Sequence, residues 1–246
     1  SILPSHATER VTKYEITQNP RTSQGISITP IEGYPVYSII SYKYAGLDAE
    51  TGDPQGYDRD GNISKDYAGL LYPENWEELN YIGSGRPTWF GGLRNTVSYG
   101  SLSLSFNISY KFGYFFQRNT VNYPALFSNY SLHEDYTKRW RKTGDERLTT
   151  VPSIDYTSNT SRANFYADSD ALIEKADHIR LQDISLSYSF NNTFLKRLKM
   201  STLQLYAFAN NIGLLWKATK TSLDPDFPKG GHPNPFTIAF GIKAGF

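Results

Sequence analysis

Between Gly100 and Gly113 every second residue is apolar. Leu102, Leu104, Phe106, Ile108, Tyr110 and Phe112 alternate with Ser101, Ser103, Ser105, Asn107, Ser109 and Lys111. In a strand these two sets point to opposite faces. The run is close to the roughly 9–11 residues with which a tilted strand crosses a bilayer. The chain ends on the same signature: Phe236, Ile238, Phe240, Ile242, Ala244, Phe246. Long two-faced strands predict an all-β chain, a portion of a transmembrane antiparallel β-barrel.

Composition is compatible with that reading. Hydrophobic residues make up 39% of the 246 residues, and the mean hydropathy is −0.51. No apolar run approaches the roughly 18 residues of a transmembrane helix. Barrel strands hide their lipid face behind alternate residues, so low mean hydropathy does not exclude a membrane. Aromatic residues are 15% of the chain, led by 19 Tyr, and Tyr and Trp gather where an apolar ring meets a wet polar tip. A large soluble β-sandwich or propeller also favours Tyr. The net charge is +1 with no basic stripe, which argues against nucleic acid. The absence of Cys removes disulfides, thiolate metal sites and cysteine nucleophiles. Ser1–His6 has no charged region followed by an apolar one, so an exported barrel would have lost its leader or would continue upstream.

Seven strands are expected: Thr8–Gln18, Tyr34–Ala45, Arg86–Ser98, Ser101–Gly113, Ile179–Phe190, Thr202–Leu215 and Pro235–Phe246. In the fifth, Ile179 and Leu181 lie on one parity and Ile184, Leu186, Tyr188 and Phe190 on the other, which predicts a bulge near Gln182-Asp183. The parity of the second and sixth is ambiguous. Tyr99-Gly100 reads as a tight hairpin turn, and Asn191–Ser201 as a short polar link. Long connectors fall between these short ones, the pattern of outer-membrane barrels with short periplasmic turns and long outer loops. An odd strand count, and two open edges in lipid, predict that the strands belong to a larger barrel.

Tyr42–Asp48, Thr51–Tyr57 with Asp60-Gly61, Gly85–Thr96, Arg139–Asp145, Ile179–Phe190, Asn210–Ile212, Asp224–Asp226 and the terminal Phe246 together resemble the SusC/RagA family of TonB-dependent outer-membrane transporters. They follow the family's order across Tyr34–Phe246. The resemblance implies a barrel of about 22 strands, of which residues 1–246 would hold about the last seven, without the plug domain and TonB box. It implies import of glycans or peptides into the cell through the outer membrane, driven by TonB. The implied partners are the remaining strands and plug, outer-membrane lipid, a SusD-like surface lipoprotein acting as a lid, and a second transporter–lipoprotein pair in a dimer. Two alternatives stay open: a passive porin-like or adhesive barrel, and a soluble β-rich carbohydrate-binding module, which detergent dependence would separate.

The polar strand faces, Ser101, Ser103, Ser105, Asn107, Ser109, Lys111, Ser185, Ser187 and Ser189, would line the lumen. In a soluble sandwich they would face water. Gly241, Ala244 and Phe246 fit a barrel-assembly signal, from which Ala239 departs by being apolar. The long loops Ala45–Gly85 and Arg118–Asp177 are expected to contact the lid. Their aromatics, Tyr72, Trp76, Tyr81, Tyr123, Phe127, Tyr130, Tyr136, Trp140, Tyr156 and Tyr166, suit sugar stacking, a protein partner, or the loops' own cores.

No catalytic centre is expected. Glu77-Glu78 and Glu134-Asp135 are adjacent, whereas glycosidase carboxyls face each other across a cleft. No Ser lies in a Gly-x-Ser-x-Gly elbow. Gly83–Arg86 lacks the helix of a phosphate loop. The four His show no ligand spacing. Asp53, Asp58, Asp60, Gly61 and Asn62 echo part of a Ca²⁺ loop but lack its spacing and terminal Glu, and such residues also make turns. Asp224 and Asp226 around Pro225 read the same way.

Overall fold

A computed structural model describes residues 1–16, 20, 30–197, 199–228 and 231–246. They form two compact units. The first comprises Ser1–Ala7, Pro87–Tyr114 and Ala176–Phe246, and the second Thr8–Arg86 and Phe115–Lys175.

The first unit is a six-stranded antiparallel meander: β1 (Ile2–His6), β2 (Trp89–Tyr99), β3 (Leu102–Phe112), β4 (His178–Ser189), β5 (Thr202–Lys217) and β6 (Thr237–Gly245). Each strand pairs with the next in sequence. Its connectors alternate in length, so the long ones leave from one end of the sheet. The β2–β3 turn holds two residues, with Tyr99 opposite Leu102. Gly100, first in that turn, takes a φ of 58°, which favours Gly. The β4–β5 link contains a short helix, Asn192–Arg197.

Residues opposite one another share a face, so the register sorts the side chains. Val97, Leu104, Leu186, Ala207 and Phe240 form one cross-strand row. Asn95, Phe106, Ile184, Ala209 and Ile238 form the next row on that side. The other face carries the rows Thr96–Ser105–Ser185 and Ser98–Ser103–Ser187. The expected bulge is present: Leu181 is opposite Ile108 and Asp183 is opposite Asn107, with Gln182 left over. It keeps Leu181 and Ile184 on the same side despite their different parity. In β5 the register resolves the ambiguity, placing Leu203 and Leu205 with the apolar rows and Tyr206 and Phe208 with the hydroxyls. Tyr206 covers Gly241, where a Cβ would stand 2.2 Å from its ring. An aromatic over a cross-strand glycine pins register.

Two of the expected strands are corrected. The first strand of the sheet is Ile2–His6, not Thr8–Gln18. Residues 8–16 form no strand, and Thr17 and Gln18 lie outside the described residues. Ile2–His6 is short and carries Pro4, which has no N–H to give to a ladder. Tyr34–Ala45 does not supply a strand to the large sheet. Its Ser38–Tyr42 pairs with Leu79–Ser84 in a separate two-stranded sheet and is buried at all five positions. A strand buried on both faces has no reason to alternate, which explains its ambiguous pattern. Among the described residues the large sheet has six strands, so an odd count no longer argues for a larger barrel; the open edges β1 and β6 remain.

The second unit is built from the two longest connectors. Two aromatic-rich cores hold it. One gathers Ile31, Ile40, Tyr42, Tyr67, Leu79 and Phe165. The other gathers Val121, Tyr123 and Val151. Small sheets frame them: Tyr44–Leu47 with Pro54–Tyr57 and Ile63-Ser64, and Phe115–Gln117 with Ile173–Lys175.

Candidate functional site

The apolar face of the first unit is exposed rather than covered. In a single row Val97 is 58%, Leu104 40%, Leu186 42% and Phe240 81% exposed. A patch this wide on a water-facing protein marks an interaction surface. Aromatics bracket it along the strand axis. Trp89, Phe112 and Trp216 stand near the end with the long connectors, with Phe112 and Trp216 edge to face at 6.3 Å. Tyr99, Tyr188 and Phe190 stand near the other end, the last two at 5.1 Å. Trp89 and Tyr99 are the first and last residues of β2. Ten residue steps at about 3.4 Å and a tilt of about 40° give roughly 26 Å, the height of the apolar band between aromatic girdles of a membrane barrel. Among the described residues no helix is long and apolar enough to cross a membrane, which says nothing about strands.

The polar face brings together the strand residues singled out as lumen-facing. Ser103 lies opposite Ser187, and Ser105 opposite Ser185. Lys111 lies opposite His178 and Ser109 opposite Arg180. The hydroxyls bridge strands: Ser98 Oγ donates to Ser103 Oγ at 3.0 Å, and Thr96 Oγ1 to Ser105 Oγ at 3.1 Å. Asn107 Nδ2 donates to Asp183 at 3.1 Å. Ser101 is in the hairpin turn, and the amide of Ser189 donates to its carbonyl.

A charged cluster also sits on this face. Asp224 and Asp226, on the β5–β6 connector, meet Lys111, His178 and Arg180. Burial pushes the Asp226 carboxyl up, but hydrogen bonds from His178 and Lys111 outweigh it and hold the group well below the usual range. The signal available in the sequence was that Lys111 and Arg180 fall on the face that carries the hydroxyls.

In the second unit the two family-like segments pack on each other. Gly52, at a φ of 69°, lies under the Trp140 ring, where a Cβ would stand 2.4 Å away. The Ser153 amide donates to the Gly52 carbonyl. Arg162, 5% exposed, donates from Nε to Asp53 at 2.8 Å and from Nη2 to Ser153 at 3.0 Å. Arg118 pairs with buried Asp135. Burial raises the Asp135 carboxyl, yet the Arg118 hydrogen bond and charge bring it below its ordinary value. Glu78 closes a capping box with Asn75. Asp58 accepts from the amides of Asp60 and Asn62, which is turn chemistry. Gly83–Arg86 closes on itself through Ser84 Oγ, which accepts from the Arg86 amide.

The loop aromatics divide by burial. Tyr123 and Tyr166 are 3% and 2% exposed and serve the core, so in this conformation they are not open to a substrate or lid. Trp76 packs against the first core, and Trp140 against Gly52. Tyr72, Tyr81 and Phe127 are exposed. Phe127 stacks with exposed Tyr156 at 5.9 Å, and Tyr81 lies 4.7 Å from Tyr34. In β6 Gly241 lies on the polar side and Ala244 on the apolar side by register, and Phe246 is exposed.

No protein-family model matches the chain. A curated relative, TonB-dependent receptor P39 of Formosa agariphila, is 26% identical over 221 residues. That match covers 85% of this chain and 20% of the relative. Among solved structures, the RagAB peptide importer in its open-open state superposes with a TM-score of 0.68 at 22% identity. It covers 96% of this chain and 25% of the solved one. The closed-closed state of the same importer gives 0.64. The chain therefore spans a fifth to a quarter of the proteins it matches. Those proteins are named as a receptor and an importer, not as enzymes. The chain is thus similar in sequence to a TonB-dependent receptor and in fold to part of the RagAB peptide importer.

Proposed function

We propose that this chain is a run of the later wall strands, with their outer loops, of an outer-membrane active importer. The observation that carries the reading is the register of the six-stranded sheet: every apolar row faces one way and every hydroxyl row the other, over about one bilayer thickness. The open edges β1 and β6 support continuation into a larger barrel, since unpaired strand edges in lipid cost several kcal/mol per group. The apolar face meets outer-membrane lipid, and the hydroxyl face lines the passage or meets a plug. The second unit is the cell-surface part, where Tyr72, Tyr81 and Phe127 offer exposed rings to a SusD-like lipoprotein lid or to the substrate. The cargo is a glycan or a peptide, and energy comes through TonB. Transporter and lid pair as a dimer of such pairs.

The test is uptake of labelled oligosaccharides and labelled oligopeptides by cells with and without the full-length protein, before and after TonB depletion. Uptake of one class that needs both the protein and TonB is expected. Protein-dependent uptake indifferent to TonB would leave the passive porin, and full solubility of the protein without detergent would leave the soluble module.

A further inference from the structure

The connector after β5 turns back over the sheet. Lys217 Nζ, at the strand's last residue, donates to the carbonyls of Thr221 at 2.6 Å and Leu223 at 2.8 Å. The turn that follows is closed by Asp224, whose Oδ1 accepts from the Asp226 amide and whose carbonyl accepts from the Phe227 amide. Both carboxylates then reach the polar face. Arg180 Nη2 donates to the two Asp224 oxygens at 2.6 and 2.7 Å and lies 3.2 Å from Asp226. Lys111 Nζ donates to Asp226 at 2.7 Å. His178 Nε2 lies 3.3 Å from Asp226, and its Nδ1 is engaged by the Ala176 carbonyl and the Tyr114 hydroxyl. His178 is fully buried, and Pro225 between the two carboxylates is buried as well.

These contacts fix where the connector goes. Lys111, His178 and Arg180 belong to the hydroxyl-bearing side of β3 and β4, at the end from which the long connectors leave. A segment bound to them lies over that side and not over the apolar one. Charge-assisted bonds from two strands to one turn hold it in a single position. Removing either carboxylate strands partly buried cations, so the position is costly to leave.

We propose that residues 218–228 form an inward-folded constriction, latched by Asp224 and Asp226, that limits the size of solute passing over the polar face. The proposal rests on the reading of that face as the passage. The test places a cysteine opposite Arg180, beside the latch, as Ser109→Cys in the full-length transporter in lipid vesicles, and compares labelling by a small and a bulky membrane-impermeant thiol reagent. The small reagent should label it and the bulky one should be excluded. In Asp224→Asn/Asp226→Asn, bulky-reagent labelling should rise at least about tenfold, one decade being the least that a lost charge-assisted hydrogen bond implies. Replacing Thr219–Phe227 by a Gly-Ser segment of equal length should do the same, and serves if the double variant fails to assemble. Equal labelling by both reagents without these changes, or continued exclusion after the segment is replaced, overturns the constriction. Protection of Ser109→Cys from both reagents, with Ile108→Cys equally protected, overturns the passage reading itself and the constriction with it.

Discussion

An arginine at position 184 separates the two faces of the sheet energetically. Ile184 belongs to the row Asn95–Phe106–Ile184–Ala209–Ile238. Phe106 is four steps from the hairpin end of β3, which runs Leu102–Phe112. At about 3.4 Å per step and about 40° of tilt this is roughly 10 Å along the membrane normal, close to the middle of a band about 25 Å tall. An outward-facing Arg at that depth costs about 2–4 kcal/mol. Ser185, the next residue, faces the other way, opposite Ser105, and Arg there should cost less than about 1 kcal/mol. The folded-to-unfolded ratio of the full-length protein in lipid vesicles should therefore fall roughly 5- to 700-fold more for Ile184→Arg than for Ser185→Arg. Urea titration of both variants reads this difference, and the yield of folded protein in isolated outer membranes should follow it. Equal losses, or a larger loss for Ser185→Arg, would refute the assignment of faces.

The second unit gives further expectations. Phe165 is fully buried between the rings of Tyr42 and Tyr67 at 5.7 and 5.8 Å. Phe165→Ala should cost about 3–5 kcal/mol, seen as protease cleavage within residues 8–86 and 115–175 while the strands stay protected. Gly52→Ala meets the Trp140 ring and a left-handed φ, so it should destabilise by more than the roughly 1–2 kcal/mol of the backbone alone. Trp140→Ala should recover the steric part in a double-mutant cycle, and strict additivity would contradict the packing. The Asp48 carboxyl is lowered to about 2 by the Thr51 amide and by Lys65, against a small opposing effect of burial. A depressed carboxyl contributes stability above its unfolded value that is lost as pH falls through its folded value. The 48–65 turn should therefore keep its amide protection at pH 4 and lose it near pH 2, and loss already at pH 4 would refute the network.

Legibility followed periodicity. Ser101–Gly113 and Pro235–Phe246 are readable because one face is apolar and one is not, which forces period two. The bulge at Gln182 is readable because a parity switch inside one apolar run has a single geometric cause. Ile2–His6 is opaque because five residues carry too little pattern and Pro4 argues against a strand. Tyr34–Ala45 misleads because a two-sided buried strand and a lipid-facing one are both rich in Ile and Tyr. In the loops, a list of aromatics could not tell Tyr166 from Tyr72. Burial depends on contacts between segments far apart in sequence, such as Asp53 with Arg162. The Asp224–Asp226 turn carried the right local geometry, but its partners on β3 and β4 were visible only once the register was known.

The pairing of Asp53 with Arg162, 109 residues apart, bears on how the two long connectors can vary. The first core is shared by the two long connectors, because Tyr42 packs on Phe165, and Gly52 lies under Trp140. The unit of exchange between related chains is therefore both connectors together, with the β2–β3 hairpin between them in sequence. A chimera that swaps one connector alone splits the shared core. It should fail in folding before any question of specificity arises, whereas a matched double swap should transplant the whole surface at once.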